Sequence, residues 1–262
     1  MQPGKEPKIS MRIIGIIPSR YSSTRLAGKP LVDLGGKTMI ERVYRSCQAS
    51  RLLEALIVAT DDGRIYDEVR RFGGDVEMTS PHHQSGTDRI AEVAAKRGFA
   101  DNDIIVNIQG DQPLIEGSTI DDLIRPLAED ESLVMSTMSF RIRNPEDIHK
   151  TSIVKVVTDQ NGMALYFSRH PIPFVREPEG KDPLETPYYK HLGLYAYRKK
   201  FLLGFSQLKE SYLERNEKLE QLRVLENGYR IKVVESKFNS LEVDTPEDVE
   251  KVRAVLLAEG RK

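Results

Sequence analysis

Residues 18–31 read Pro18-Ser19-Arg20-Tyr21-Ser22-Ser23-Thr24-Arg25-Leu26-Ala27-Gly28-Lys29-Pro30-Leu31. Small hydroxyl residues and a glycine let backbone N–H groups approach an anion, and Arg20, Arg25 and Lys29 add cations at intervals. Across residues 11–37, Arg12, Arg20, Arg25, Lys29 and Lys37 stand against Asp33 alone, a net +4. Such a loop suits a triphosphate; the plainer alternative is a solvated basic loop. Two carboxylates complement it. Asp111 follows Asn107-Ile108-Gln109-Gly110, where the glycine lets the chain turn and the aspartate project. Asp244 directly precedes Thr245-Pro246, a helix cap with proline at the first helical position. Each suits Mg²⁺, which prefers hard oxygen ligands shared with phosphate, and each is equally at home as an ordinary cap. Other patterns fall short. Gly35-Gly36-Lys37-Thr38 resembles the end of a P-loop, but Leu31 stands where the first glycine is required, and Thr38 is better used as a cap. No G-x-G-x-x-G fingerprint occurs, which counts against a dehydrogenase. His82-His83 lacks a helical i,i+4 partner and reads as surface loop.

These loops need a scaffold that brings them together. Short apolar runs at 13–17 (IIGII), 55–59 (ALIVA) and 103–108 (DIIVNI) predict strands buried on both faces. Helices are predicted between and after them. The first spans 38–50, with Met39, Ile40, Val43, Tyr44 and Cys47 on one face and a Thr38–Glu41 capping box. Others span 62–72, 85–96 and 118–127, with a short strand at 76–78 and a further one at 133–140. Strand and helix alternating at this spacing predict parallel βαβ units, an α/β protein with a mostly parallel sheet flanked by helices. In such sheets ligands bind beyond the strand C-termini. The informative loops therefore follow Ile17, Ala59 and Ile108.

The stretch 141–200 changes character, with Pro, Gly, Tyr and strand-like runs at 153–157, 164–167 and 192–197. It predicts a smaller antiparallel extension and a candidate dimer surface. A helix at 213–225, a strand at 231–234 and a helix from Thr245 to about residue 258 complete the chain. The expected organisation is a loose polar tail at 1–10 and one domain over 11–262.

Composition excludes several classes. The 262 residues carry 39 Lys+Arg against 40 Asp+Glu, so the basic excess of a general nucleic-acid binder is missing. One cysteine allows neither a disulfide framework nor a cysteine metal cluster, and Cys47 falls in step with apolar helix neighbours. No apolar run approaches the roughly 18 residues of a membrane span, so a soluble, cytoplasmic protein is expected.

The segments IIPSRYSSTRLAGKPL, ATDD, HHQSGTDR, VNIQGDQPL, YFSRHPIPF, YYKHLGLYAYR, LEQLRVLENGYRI and VDTPEDVEKVR occur in that order. Together they resemble the 3-deoxy-manno-octulosonate cytidylyltransferase (CMP-KDO synthetase) family over residues 12–256. The resemblance implies a Rossmann-like fold of the nucleotide-diphospho-sugar transferase type and transfer of CMP from CTP to the anomeric hydroxyl of KDO, for lipopolysaccharide synthesis. It implies that Ser19, Arg20, Ser23, Arg25 and Lys29 hold the triphosphate, that Ser85, Gly86, Thr87 and Gln109 frame the nucleotide, and that Asp111 and Asp244 hold Mg²⁺. It further implies that Arg89, Arg169, His191, Tyr195, Glu220 and Gln221 serve the sugar acid, and that the enzyme is a homodimer. Arg20, Lys29, Asp111 and Asp244 would be the catalytic set. Transfer of this kind needs alignment and charge neutralisation, so no covalent nucleophile is expected. Arg169 has its own claim, because a sugar carboxylate favours a bidentate guanidinium. The others have plainer readings too: His191 as a satisfied structural histidine, Tyr195 as an alternating strand residue, Glu220 and Gln221 as part of a charged helix face. Two departures from the family pattern are Ala27 in place of proline and Gln112 in place of an acidic residue. The competing functions are cytidylyl transfer to another acidic sugar, or a silent nucleotide-binding module.

Overall fold

The IIGII run lies at the middle of a parallel half-sheet and is buried on both faces. The computed structural model describes residues 11–22, 26–176, 184–205, 207–239, 241–258 and 260, so the expected tail at 1–10 lies outside the described residues. Strand β1 (Ile13–Ser19) pairs in parallel with β2 (Ala55–Thr60) on one side and β4 (Ile104–Asn107) on the other, and β3 (Asp75–Met78) adds in parallel outside β2. Ile13 and Ile17 enter one apolar layer, Ile14 and Ile16 the other. Helices α1 (Met39–Cys47), α2 (Gly63–Arg71) and α4 (Gly117–Glu129) cover the first face; α3 (Gly86–Lys96) covers the second.

The second half of the sheet is mixed. The parallel half runs in the order β3-β2-β1-β4, and the remaining strands continue outward from β4. Strand β8 (Tyr189–Arg198) runs antiparallel between β4 and β5 (Met135–Arg141), and β9 (Lys232–Glu235) lies parallel to β5. The stretch expected to be an extension therefore divides. Only β6 (Lys155–Thr158) and β7 (Ala164–Ser168) form an antiparallel offshoot, whereas β8 sits in the centre of the main sheet. Its burial explains this, since Leu192, Leu194 and Ala196 pack into one apolar layer and Tyr197 into the other. Opposite β5 the register jumps from Thr137↔Tyr195 to Ser139↔His191. Gly193 takes φ +67° within that bulge, a left-handed backbone that suits glycine.

Periodicity did not signal α5 (Pro145–His149) or α6 (Lys199–Phe205). The single helix expected at 213–225 is two, α7 (Tyr212–Glu217) and α8 (Gln221–Glu226), separated where Lys218 turns left-handed at φ 54°. The last helix, α9 (Pro246–Ala258), packs Val249, Val252 and Leu256 against Leu34 and Met39. The Thr38 capping box is half formed. Thr38 Oγ1 accepts from Glu41 N–H at 3.3 Å, but the Glu41 carboxylate turns instead to Arg45 and Arg71. Cys47 is fully buried, which pushes its thiol pKa up. Among the described residues no helix is long and apolar enough to cross a membrane.

Candidate active site

Beyond the C-terminal ends of β1 and β4 lies an open cleft of about 440 Å³. Ser19, Arg20, Ser22 and Lys29 line it from the basic loop, Gln109 and Asp111 from the turn after β4, and Asp244 from the approach to α9. The two expected metal carboxylates meet here, 133 positions apart in sequence, because Val243 N–H donates to the Asp111 carbonyl at 2.9 Å. Asp248 steadies the second of them by accepting from the backbone N–H of Asp244 and Thr245 at 3.3 and 3.1 Å. Lys29 Nζ lies between the carboxylates, 2.8 Å from Asp111 and 3.0 Å from Asp244. Burial opposes its charge, but the two carboxylates outweigh that and hold its pKa above the ordinary value. Ser19 Oγ is buried and has no hydrogen-bond partner among the described residues, so it is open to a ligand.

This donor set fits Mg²⁺. Both carboxylates supply hard oxygens at one point, and Mg²⁺ takes one or two protein carboxylates and completes its shell with water and substrate phosphate. Among the described residues no three His, Cys, Asp or Glu side chains gather as a metal cage, so the candidate site is a pair.

The residues expected at the sugar gather on the other side of β8. Thr137 Oγ1 donates to the Leu194 carbonyl at 2.6 Å and so accepts from His191 Nε2–H at 2.8 Å, leaving Nδ1 as the ring's acceptor. The His191 ring packs between Phe167 and Tyr195, at centroid distances of 5.1 and 5.3 Å. Burial drops its pKa to about 3. Tyr195 Oη donates to Gln221 Oε1 at 3.1 Å, and Gln221 Nε2 is buried with no partner among the described residues. Burial, then the Glu220 charge, raises the Tyr195 pKa. Glu220 is driven up to about 7 by burial, against a hydrogen bond to Thr87. The break at Lys218 turns Glu220 and Gln221 out of a continuous helix. Arg169 reaches the same turn, donating Nε to the Glu217 carbonyl at 2.7 Å and Nη2 to Lys218 at 3.4 Å. Gln109 joins the two sides through an Nε2 bond of 2.9 Å to the Gly193 carbonyl in the bulge.

Some expected residues have other tasks. Arg89 is one of them. Its side chain is 1% exposed and its guanidinium donates to Asp61, at 2.7 Å, and to Thr79, so it braces the loop after β2. Ser85 Oγ caps α3 by accepting from Asp88 N–H at 3.1 Å, with Gly86 opening the helix. Thr87 is buried and faces Glu220 rather than the cleft. Ser23 and Arg25 lie outside the described residues. Sequence reasoning missed Thr137, Glu217 and Lys155. Glu217 accepts from Ser168 Oγ and from Arg169 N–H at 2.7 and 2.9 Å, and the fully buried Lys155 holds the carbonyls of Lys150, Ile153 and Arg169. Their partners are remote in sequence, so no local pattern marks them. Asp61 was within reach, since it belongs to the ATDD segment after the second strand.

Residues 14–233 match the family model described as cytidylyltransferase. A 3-deoxy-manno-octulosonate cytidylyltransferase of Geotalea uraniireducens is 54% identical over 248 residues, covering 92% of this chain and 98% of its own. One from Syntrophus aciditrophicus is 53% identical over 250 residues, covering 95% and 99%. This chain belongs to the 3-deoxy-manno-octulosonate cytidylyltransferase family. A solved CMP:2-keto-3-deoxy-manno-octonic acid synthetase, in complex with CTP, superposes at TM-score 0.88 with 41% identity, over 95% of this chain and 99% of that one. A 4-diphosphocytidyl-2C-methyl-D-erythritol synthase shares the fold at TM-score 0.63 and 14% identity. The cytidylyltransferase match thus spans β1 to β9 and takes in both sides of the crevice. Asp244 and α9 lie beyond the family-model match and within the range expected from the sequence resemblance.

Proposed function

We propose that this cytidylyltransferase activates KDO by moving CMP from CTP to the anomeric hydroxyl, with release of pyrophosphate, for lipopolysaccharide synthesis. The observation that carries the reading is the meeting of Lys29, Asp111 and Asp244 at the mouth of the parallel half-sheet, in a chain 54% identical to a protein named for that reaction. Arg20 and Lys29 bind the triphosphate charge, and Ser19 Oγ supplies a neutral hydrogen bond beside them. Asp111 and Asp244 hold Mg²⁺; when bound, the ion neutralises phosphate charge and lowers the pKa of the attacking hydroxyl.

On the sugar side, His191 Nδ1 accepts and Gln221 Nε2 donates, a pairing that suits sugar hydroxyls. Arg169 has guanidinium N–H groups beyond those it gives to carbonyls, and these take the sugar carboxylate. The aromatic wall of Phe167, His191 and Tyr195 excludes water from the acceptor. Gln109, touching both sides, aligns the hydroxyl with the α-phosphorus. Such transfer depends on positioning and electrostatics, and no side chain is assigned a covalent role.

The protein acts in the cytoplasm as a homodimer through the β6–β7 offshoot, a reading supported by the exposure of Leu165 (61%) on β7 and of Phe174 (86%) six residues beyond its end. Mixing the chain with CTP, KDO and Mg²⁺ is expected to release pyrophosphate and yield CMP-KDO by mass spectrometry. Absence of release with KDO or its analogues, using folded protein, sinks the reading. Thermal stabilisation by CTP without turnover would favour the silent module instead.

A further inference from the structure

The basic loop carries a contact that phosphate binding does not use. Arg20 and Ser22 both line the cleft; Tyr21, between them, turns its ring away. There the Arg64 guanidinium lies 3.3 Å from the Tyr21 ring centroid. Arg64 is itself held in a fork, with Nε 2.9 Å from Asp62 Oδ1 and Nη2 2.7 Å from Oδ2. Asp62 also caps α2 by accepting from Arg64 N–H at 2.9 Å. The ring also packs against the apolar layer on the first face of the sheet and against the backbone at Gly28. A Cβ there would lie 3.1 Å from Tyr21 Oη, and φ is +65°, so a side chain at this position would strain the backbone and press on the ring. Gly28 N–H closes the loop on the Tyr21 carbonyl at 3.3 Å.

We propose that Asp62, Arg64, Tyr21 and Gly28 form a brace that presets Arg20 and Lys29 for the triphosphate, with Tyr21 and Arg64 as positioning residues. The brace grips the loop at two points, each next to a cation of the cleft: Tyr21 follows Arg20, and Gly28 precedes Lys29. A loop that must offer several cations to one polyanion loses conformational freedom on binding, and ordering it beforehand reduces that cost. Asp62 makes the brace rigid by fixing the guanidinium plane over the ring. The stack ties the loop after β1 to the start of α2, so nucleotide affinity depends on residues that never touch nucleotide. The proposal rests on CTP being the substrate.

The test compares Tyr21→Leu, Arg64→Ala, the double variant and Tyr21→Phe in the full chain, by steady-state kinetics and by CTP calorimetry. The KM and Kd for CTP are expected to rise about three- to tenfold in both single variants, as loss of a cation–π contact and of preorganisation requires. The kcat and the KM for the sugar acid stay within about twofold, a split that general loss of structure would not produce. Because the two residues act as one unit, the double variant is no worse than the weaker single. Tyr21→Phe keeps the ring face and stays near wild type. Unchanged CTP affinity in the singles, a multiplicative double variant, or lower kcat with unchanged KM each overturns the brace while wild-type turnover of CTP stands. A wild type that neither binds nor turns over CTP overturns the functional reading, and the brace with it.

Discussion

At the β1–β4 end of the crevice the polar groups are charged and wet. Lys29, Asp111 and Asp244 keep 14%, 28% and 29% of their side-chain exposure, and each charge answers another. Across β8 the polar groups are enclosed by rings. His191 is held neutral by burial, Tyr195 is raised by it, and Glu220 is pushed up to about 7. On the proposed reading, the triphosphate end works by Coulomb attraction that tolerates water. On the same reading, the acceptor end works by shape and by hydrogen bonds whose donors and acceptors are set by protonation. Substitutions at the two ends should therefore differ in kind: rate and metal dependence at one, acceptor affinity and pH response at the other.

The largest effect is expected at the wet end. Asp111→Ala removes one carboxylate of the pair and leaves Lys29 facing Asp244 alone. Turnover should fall on the order of 10³-fold or more, as loss of metal-centred charge stabilisation implies. Near-normal rates across the Mg²⁺ range would show that Asp111 does not serve the ion. The comparison is sharpened if sugar affinity, measured without turnover, is unchanged.

Next comes the enclosed end. Arg169→Ala deletes a guanidinium that spans β7 and the α7–α8 turn. Loss of charge-assisted bonds worth about 1.5–3 kcal/mol should raise the KM for the sugar acid roughly 10- to 100-fold. The KM for CTP should stay within about twofold. An equal rise in both would break the division between the ends.

The protonation contrast gives a smaller, signed effect. Glu220 has a folded pKa of about 7 against an ordinary 4.5, so the folded state holds the extra proton between those values and stability falls as pH rises through them. His191 has a folded pKa of about 3 against an ordinary 6.5, so the unfolded state holds the extra proton and stability rises with pH over that range. The two slopes oppose each other between pH 4.5 and 6.5. Glu220→Gln removes one of them. Its stability should drop more steeply than wild type on acidification through that window, by at most about 1.4 kcal/mol per pH unit. Denaturant melts at several pH values measure it, and parallel curves for the two proteins would remove Glu220 from the account.

Legibility followed the same division. The wet end could be read from sequence because its chemistry sits in loops next to strong strand signals: IIGII announces β1, DIIVNI announces β4, and Arg20, Lys29 and Asp111 follow directly. Even Asp244 was marked, by the cap and proline after it. The enclosed end depends on contacts across long separations. His191 takes its tautomer from Thr137, and Arg169 takes its carbonyls from Thr151, Glu217 and Lys218. The pairing of Arg89 with Asp61 was equally hidden, because a cation in a motif gives no hint of which carboxylate it meets. Strand β8 was read as peripheral because its Tyr-rich, Gly-interrupted pattern lacks the continuous apolar run of its neighbours, although both its faces are covered.

The smallest effect tests why the enclosed end could not be read. Residues 213–225 have helical composition, and the break comes from Lys218 at φ 54°. A left-handed non-glycine residue costs about 1–2 kcal/mol, whereas glycine there costs roughly 0.5–1 kcal/mol in backbone freedom. Lys218→Gly should therefore stabilise the fold by about 0.5–1 kcal/mol, a rise in Tm of about 1–4 °C for a chain of this size. The carbonyl that receives Arg169 Nη2 belongs to the backbone and survives the change. The KM for the sugar acid should then stay at the wild-type value. A destabilised variant would mean that tertiary contacts do not hold the left-handed turn at so large a cost. A stabilised variant with raised sugar KM would place the Lys218 side chain itself at the acceptor, adding a second cation beside Arg169.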